Sequence, residues 1–226
     1  MRKGVKHIVS QAIKPFISRY LSKTRYYKHN GIRLEIAPEV FHPGFFFSTK
    51  LLLKYILRLD LKNKYFLELG AGNGLIAFSA ACEGAIVTAT DINSIAIKHL
   101  EKNRKKNNIN IKITQSDLYK QLPHQAFDII AVNPPYYKRN PQTESQHAWY
   151  CGENGDYFVR FFEGLNNYIH EHSTVLMILS EDCDIDMIKN IGTKYDFNLN
   201  LAEEKKVLWE ILYIFEIKKN RNDRKQ

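Results

Sequence analysis

The sequence predicts an α/β protein with a doubly wound, mostly parallel sheet of seven strands that closes with an antiparallel hairpin. From Lys64 to Tyr195, short apolar runs alternate with segments in which apolar residues recur at helical spacing. Such alternation is typical of βαβ units. The end of the chain, FNLNLAEEKKVLWEILYIFEI, instead holds two β-rich pieces with no helix between them, which predicts antiparallel pairing.

The individual elements follow one another in a regular order. The predicted strands are KYFLEL, AIVTATD, INIKITQSD, FDIIAV and STVLMILS, which are rich in residues that favour sheets. The predicted helices are NGLIAFSAAC, NSIAIKHLEKNRKKN, YFVRFFEGLNNYIHEH and DIDMIKNIGTKY. Before them, GIRLEIAP alternates like a short strand, and Ser48 or Thr49 is placed to cap a helix over TKLLLKYILRL.

Composition limits the class of protein. The chain has 226 residues, of which 44% are hydrophobic, and this length suits one large α/β domain. Its three cysteines, Cys82, Cys151 and Cys183, form no CxxC pair, which favours a reducing compartment over disulfides and predicts no metal site. No apolar run approaches the roughly 20 residues of a spanning helix, and no signal-peptide pattern is present. We therefore expect a cytoplasmic protein without stable membrane insertion.

Positive charge is concentrated near the N-terminus. The net charge is +9, and Met1–Lys64 alone holds 14 Lys and Arg against three Asp and Glu. A basic amphipathic helix is predicted over Val5–Leu21. This asymmetry indicates either an anionic partner such as RNA, a ribosomal particle or a membrane surface, or a solvated basic face. The expected organisation is a basic extension of helix and strand at 1–45, one domain at 46–218, and a basic tail at 219–226.

A glycine-rich loop, ELGAGNG, separates the first strand of the alternation from its first helix. Gly70, Gly72 and Gly74 allow a sharp turn and a close approach of the backbone to a ligand. Dinucleotide-binding folds use the similar pattern GxGxxG, but here Leu75 stands where the last glycine of that pattern would be. An acid, Glu68, also lies just before the first glycine, which disfavours a pyrophosphate ligand.

Two further acids end the next two predicted strands. Asp91, followed by Ile92, is placed to accept both hydroxyls of a ribose. Asp117, followed by Leu118, is placed to accept from an adenine amino group, although taken alone it is equally typical of a cap or turn. A glycine loop and two acids at three consecutive strand ends predict a site for a nucleoside without a phosphate. S-adenosylmethionine meets that description.

The next strand, FDIIAV, ends in Asn-Pro-Pro-Tyr at Asn133–Tyr136. With these motifs the chain resembles the class I S-adenosylmethionine-dependent methyltransferases, which have a Rossmann-like fold. More narrowly, it resembles the small-domain N-methyltransferases with an (N/D)PP(Y/F) motif, which include release-factor glutamine methyltransferases and adenine-N6 or guanine-N2 methyltransferases of nucleic acids. The resemblance covers roughly Phe41 to Phe215.

The resemblance implies a role for each motif residue. The implied cofactor-binding residues are Glu68, Gly70, Gly72, Gly74, Asp91, Ile92, Asp117, Leu118 and Thr49, and the implied catalytic residues are Asn133, Pro134, Pro135 and Tyr136. It also implies a macromolecular substrate, which is either a protein, such as a release factor or a ribosomal protein, or RNA. CGENGDYFVRFF resembles the glutamine-methylating branch, whereas that branch's N-terminal domain of several helices has no counterpart in residues 1–45.

The motif NPPY suits a planar nitrogen acceptor, whose lone pair is delocalised. The Asn133 side-chain oxygen and the Pro134 carbonyl can each accept one N–H of an NH₂ group, and Tyr136 can stack on it. Without the glycine loop, the same residues would indicate only a turn that ends a strand. Two other functions remain open: a non-catalytic module that binds a nucleoside or RNA, and a small-molecule methyltransferase.

Overall fold

The computed structural model describes residues 23–38, 47–208 and 210–220. Strands β1, Arg25–His29, and β2, Ile32–Ile36, form an antiparallel hairpin. The main sheet consists of β3 (Tyr65–Leu69), β4 (Ile86–Asp91), β5 (Lys112–Gln115), β6 (Ile129–Val132), β7 (Thr174–Ser180), β8 (Phe197–Val207) and β9 (Glu210–Lys219). The amphipathic helix predicted over Val5–Leu21 and the end of the basic tail lie outside the described residues.

The main sheet confirms the predicted topology. Its strand order is β5-β4-β3-β6-β7-β9-β8. Strands β3 to β7 pair in parallel with their neighbours among themselves, whereas β9 is antiparallel to both β7 and β8. The order of winding reverses between β3 and β6, and in open α/β sheets the crevice at such a reversal receives the ligand.

The helices cover both faces of this sheet. They are α1 (Phe47–Ile56), α2 (Leu75–Cys82), α3 (Ser94–Asn107), α4 (Asp156–Leu165) and α5 (Ile185–Lys194), with short 3-10 helices at Glu144–Ala148 and Asn166–Tyr168. Asn93 caps α3 by accepting from the backbone N–H of Ile95 at 2.8 Å, and Asp184 caps α5 in the same way. In the described part of the chain no helix has the length and apolarity to cross a bilayer.

Two apolar cores lie on opposite faces of the sheet. Adjacent residues of β3 point to different cores: Phe66 packs with Leu52 and Phe78, whereas Leu67 packs with Phe161. A sheet covered on both faces needs apolar side chains at successive positions. This explains why the central strands read as continuous apolar runs rather than as alternating patterns.

The sequence pattern misplaced several element boundaries. Ser48 and Thr49 are buried inside the first turn of α1 and do not precede it as caps. The helix predicted to run to His172 ends at Leu165 and continues as a tight 3-10 turn. That turn directs the Tyr168 hydroxyl to the carbonyls of Tyr119 and Leu122, at 3.3 Å each, and these distant contacts override the helical pattern.

The β1–β2 hairpin is held by asparagine side chains of α3. The amide of Asn103 accepts from the backbone N–H of Glu35 at 2.8 Å and donates to the carbonyl of the same residue at 3.0 Å. Asn107, one turn later, makes the same pair of bonds with Arg33, each at 2.8 Å. These amides satisfy the backbone N–H and C=O groups on the unpaired edge of β2, as a neighbouring strand would.

Candidate active site

The predicted site segments converge at one edge of the main sheet, the edge formed by the carboxyl ends of its parallel strands. Because β3, β4 and β6 are parallel, their carboxyl ends share that edge. The glycine loop begins directly after Leu69, Asp91 ends β4, and Asn133 follows β6. The segment that carries Asp117 joins them, since the backbone N–H of Ser116 donates to the carbonyl of Asp91 at 2.9 Å.

The glycine loop combines tight packing with open space. Gly70, Gly72 and Gly74 have φ angles of 71°, 52° and 81°, which only glycine adopts without strain. A Cβ at Gly74 would lie 2.5 Å from Leu100 and 2.6 Å from Phe78, whereas a Cβ at Gly70 would have no atom within 4 Å. The end of the loop is therefore packed against α2 and α3, and its beginning faces open space.

Asp91 ties this loop to β4 and retains accepting capacity. One carboxylate oxygen accepts from the backbone N–H of Gly72 and the other from that of Asn93, both at 2.8 Å. Burial raises the pKa of Asp91, and the bonds from Asn93, Gly72 and Ile92 oppose that rise. The two oxygens of a carboxylate have about four acceptor sites in all, so a site remains after the bonds from Asn93, Gly72 and Ile92. Together with the open space at Gly70, this fits the ribose of S-adenosylmethionine.

Glu68 lies beneath the loop. Its carboxylate is buried and accepts from the backbone N–H of Ala77 at 2.8 Å. Burial raises the pKa of Glu68 to about 8, the Ala77 bond opposes the rise, and the charge of Asp91 adds to it. The structure thus places Glu68 against the first turns of α2, where it holds the loop to the helix.

Asp117 lies at the same edge, in an ion-pair cluster. Its carboxylate contacts Lys120 at 2.7 Å and Arg160 at 2.5 Å. Partial burial favours a higher pKa for Asp117, but the two cations outweigh it and lower that pKa. The next residue, Leu118, is buried with a φ of 53°, and its carbonyl accepts from Ser116 at 2.8 Å.

Sequence reasoning did not single out Tyr157 and Arg160, which α4 contributes to this edge. Burial raises the pKa of Tyr157, Arg160 opposes the rise, and the charges of Asp91 and Asp117 add to it. Arg160 reaches this edge through its ion pair with Asp117. The signal was the stretch CGENGDYFVRFF, which contains both residues.

The NPPY motif leaves β6 at the centre of this edge. Pro134 and Pro135 are buried, and Asn133 is half-buried. The Asn133 side-chain nitrogen donates to Ser48 Oγ at 3.2 Å. The Tyr136 hydroxyl donates to Asn133 Oδ1 at 2.9 Å. The Tyr136 hydroxyl is thus bonded to the side-chain amide of Asn133, the residue that the sequence predicts to be catalytic. The sequence predicted only that Tyr136 stacks on the NH₂ group of the acceptor.

Helix α1 places its first turn beside the motif. Ser48 and Thr49 are both buried there, and Ser48 forms the hydrogen bond to Asn133 across 85 positions of sequence. Thr49, which the sequence predicts to bind the cofactor, is therefore the neighbour in sequence of Ser48, which bonds the Asn133 side chain.

The long segment after NPPY folds back over the same edge. The backbone N–H of Tyr137 donates to Trp149 and that of Cys151 to Tyr137, both at 2.9 Å. Further along, Glu144 contacts the backbone N–H and hydroxyl of Ser94 at the start of α3. An acid at a helix N-terminus is stabilising. The segment thus spans from NPPY to the helix that follows Asp91.

Comparisons with known proteins identify the family of this chain. The family model for the methyltransferase small domain matches residues 32–150. A putative protein N5-glutamine methyltransferase of Methanocaldococcus jannaschii is 35% identical over 184 residues, which are 76% of this chain and 89% of that protein. A release factor glutamine methyltransferase of Bordetella pertussis is 41% identical over 76 residues, which are 32% of this chain and 28% of that protein.

Solved structures share the fold at lower identity. The E. cuniculi Mtq2–Trm112 complex, described as responsible for methylation of the eRF1 translation termination factor, aligns with a TM-score of 0.61 and 21% identity over 80% of this chain and 99% of the other. The T. thermophilus 16S rRNA N2 G1207 methyltransferase, bound to AdoMet and guanosine, aligns with a TM-score of 0.61 and 19% identity over 86% and 50%. The chain belongs to the methyltransferase small-domain family and is an S-adenosylmethionine-dependent methyltransferase, as its motifs predicted.

Proposed function

We propose that this enzyme methylates the side-chain amide nitrogen of a glutamine in a protein of the translation apparatus. The observation that carries the proposal is the position of Asn133 at the carboxyl end of β6, where two hydroxyls hold its side-chain amide. The names of its relatives support glutamine as the acceptor. The proposed cofactor contacts are Glu68, Gly70, Gly72, Gly74, Asp91, Ile92, Asp117, Leu118 and Thr49, and the proposed catalytic residues are Asn133, Pro134, Pro135 and Tyr136.

The chemistry requires an amide nitrogen to act as a nucleophile although its lone pair is delocalised into the carbonyl. When bound, S-adenosylmethionine supplies an electrophilic methyl group on a positively charged sulfur. Asn133 Oδ1 and the Pro134 carbonyl each accept one N–H of the acceptor, which fixes the nitrogen and directs its lone pair toward the crevice. The contribution of the protein is thus positioning and electrostatic stabilisation of the positive charge that develops on nitrogen as the N–C bond forms and the sulfur–methyl bond breaks. The methylated nitrogen becomes neutral again by releasing one of its two protons to solvent, and the electron pair of the broken bond stays on the sulfur.

A second candidate acceptor is the exocyclic amine of an RNA base, and a basic surface favours it. We call the exposed side chains Tyr26, Lys28, Arg33, Lys102 and Lys106 the basic hairpin surface. Tyr26 is 71% exposed, and Lys106 Nζ lies 4.9 Å from its ring centroid. Glu35, the acid between these cations, is buried and bonded to Lys102. Exposed cations beside an aromatic ring are typical of surfaces that bind RNA.

The other two functions have less support. Membership of an enzyme family favours catalysis over a module that only binds a nucleoside or RNA. A small-molecule acceptor is disfavoured because relatives are named for protein glutamine. We also propose that the enzyme works in the cytoplasm, since Cys82, Cys151 and Cys183 are free thiols.

Methyl transfer to two separate acceptors distinguishes the candidates. Purified enzyme with methyl-labelled S-adenosylmethionine is incubated either with a purified translation release factor, of the bacterial or the eRF1 type, or with protein-free ribosomal RNA. We expect label in the protein arm, and mass spectrometry should place it on a glutamine side chain. Label confined to an RNA base would overturn the glutamine proposal in favour of the second candidate, and no label in either arm would contradict both.

A further inference from the structure

Two hydroxyls from distant segments bond to opposite ends of the NPPY amide. The Asn133 side-chain nitrogen donates to Ser48 Oγ at 3.2 Å, and the Tyr136 hydroxyl donates to Asn133 Oδ1 at 2.9 Å. The amide thus donates at one end and accepts at the other, and hydrogen bonds in such chains strengthen one another.

The chemistry of the three groups explains why a hydroxyl stands at position 48. The amide nitrogen can only donate, whereas a serine hydroxyl accepts one hydrogen bond while donating another. Burial raises the pKa of Tyr136 well above its usual value, so its hydroxyl keeps the proton that it donates.

The two bonds to the amide have a consequence for its accepting atom. Asn133 Oδ1 takes one hydrogen bond from Tyr136 and has a second acceptor site. An amide free to rotate would present that site in many directions, whereas an amide bonded at both ends presents it in one. Ser48 is only 3% exposed, so solvent does not replace its contact.

We propose that Ser48 is a positioning residue that, together with Tyr136, holds the Asn133 amide in the plane in which Oδ1 accepts an N–H of the methyl acceptor. The inference rests on the proposed function and adds to it a residue from α1, outside the NPPY motif. It also makes the catalytic motif depend on the docking of α1 at this edge.

The test compares Ser48→Ala, Tyr136→Phe and the double variant with Ser79→Ala as the matched control. Ser79 is likewise a buried helical serine, but its hydroxyl has no hydrogen-bond partner. We expect Ser48→Ala and Tyr136→Phe each to lower the single-turnover rate roughly 5- to 30-fold, since each removes one bond of a coupled set. S-adenosylmethionine affinity by calorimetry should stay unchanged, and Ser79→Ala should match wild type.

The double variant tests whether the two bonds act together. Because either single substitution already releases one end of the amide, the double variant should be little slower than the slower single variant. Ser48→Thr keeps the hydroxyl and should recover most of the rate. The side-chain NH₂ signals of Asn133 in a ¹⁵N-correlated NMR spectrum give a readout without turnover: Ser48→Ala and Tyr136→Phe should each shift them, and Ser79→Ala should not.

The outcomes separate this inference from the proposed function. A wild-type rate for Ser48→Ala, with Asn133→Ala inactive, would overturn the positioning role and leave the proposed function intact. A full rate for Asn133→Ala would overturn the proposed function itself. Independent, multiplying losses in the double variant would refute the joint action of the two bonds. If Ser48→Ala did not fold, the rate and NMR signals of Tyr136→Phe would decide, and unchanged values would contradict the proposal.

Discussion

At the scale of single residues, Asp91 is expected to decide cofactor affinity. Its carboxylate accepts from the backbone N–H groups of Gly72 and Asn93, and the adjoining loop leaves open space at Gly70. Asp91→Ala should weaken binding of S-adenosylmethionine and of its demethylated product by about 2–3 kcal/mol, because charge-assisted bonds are lost. Calorimetry measures both affinities.

A control for Asp91 lies at the opposite edge of the sheet. Asp128 also accepts from a backbone N–H, that of Tyr65 at 2.7 Å. Asp128→Ala should leave cofactor affinity unchanged. The assignment of Asp91 would be wrong if its variant bound the cofactor as tightly as wild type, or if both variants lost affinity equally.

Glu68 predicts a pH dependence of stability. Its pKa is raised by burial from 4.5 to about 8 in the folded protein. Between these values the folded state holds a proton that the unfolded state has released, so stability falls as pH rises through this window. Glu68→Gln removes this contribution and should show a shallower fall in unfolding free energy between about pH 5.5 and about pH 8. Parallel curves from urea unfolding of the two proteins would contradict the assignment.

At the scale of elements, the glycine loop should separate stability from binding. Gly74→Ala places a Cβ against Leu100 and Phe78 at a positive φ and should cost about 2–4 kcal/mol of unfolding free energy. A Cβ at Gly70 meets no neighbour, so Gly70→Ala should cost only about 1–2 kcal/mol of unfolding free energy. It should weaken cofactor binding more than Gly74→Ala does. Denaturant unfolding and calorimetry on the same two variants provide the comparison, and equal effects on both properties would refute it.

The parallel sheet was predictable because its strands are continuous apolar runs that end at polar residues. Strand β1, RYYKH, was not predicted, since it is mostly polar and exists by pairing with β2. The Asn30–Gly31 turn, with φ angles of 43° and 85°, was its one local signal. The end of α4 depends on the contacts of Tyr168 with a distant loop, which a local pattern does not contain.

The candidate site likewise contains motifs that local sequence predicts and contacts that it does not predict. The glycine loop, Asp91 and NPPY follow strand ends, where a parallel sheet brings them together, so local sequence was enough to find them. The bond between Ser48 and Asn133 joins positions 85 residues apart, and the pairing of Asp117 with Arg160 joins positions 43 apart. Nothing in either local stretch specifies these partners, because packing of α1 and α4 on the sheet creates them.

At the scale of the whole molecule, charge is distributed unevenly over the surface. We propose that the division into 1–45, 46–218 and 219–226 describes the chain, with β1–β2 of the first part docked on α3 of the second. The basic hairpin surface lies at that junction. By contrast, the exposed lysines Lys205 and Lys206 on β8 follow Glu203 and Glu204 directly, so acids lie beside them in the sequence.

The basic hairpin surface should give the enzyme a salt-dependent affinity for RNA. A variant with Lys28, Arg33 and Lys106 changed to alanine should bind RNA more weakly. The slope of log affinity against log salt should fall by up to about 2–3, because three phosphate contacts are removed. The control changes Lys205 and Lys206 to alanine and should retain the wild-type slope. Equal RNA affinity of the triple variant and wild type across a salt series would assign the surface to solubility alone.

The central claim is that the edge of the sheet with NPPY is a catalytic site and that Asn133 orients the acceptor nitrogen. The most direct measurement is single-turnover methyl transfer by Asn133→Ala at saturating S-adenosylmethionine, with cofactor binding measured separately. The rate should fall roughly a hundredfold to a thousandfold, since one of two preorganised acceptors is lost, while cofactor affinity stays close to wild type. Asn133→Asp keeps an accepting oxygen and should lose less. A transfer rate near wild type for Asn133→Ala would show that NPPY only ends a strand, and would contradict the catalytic assignment.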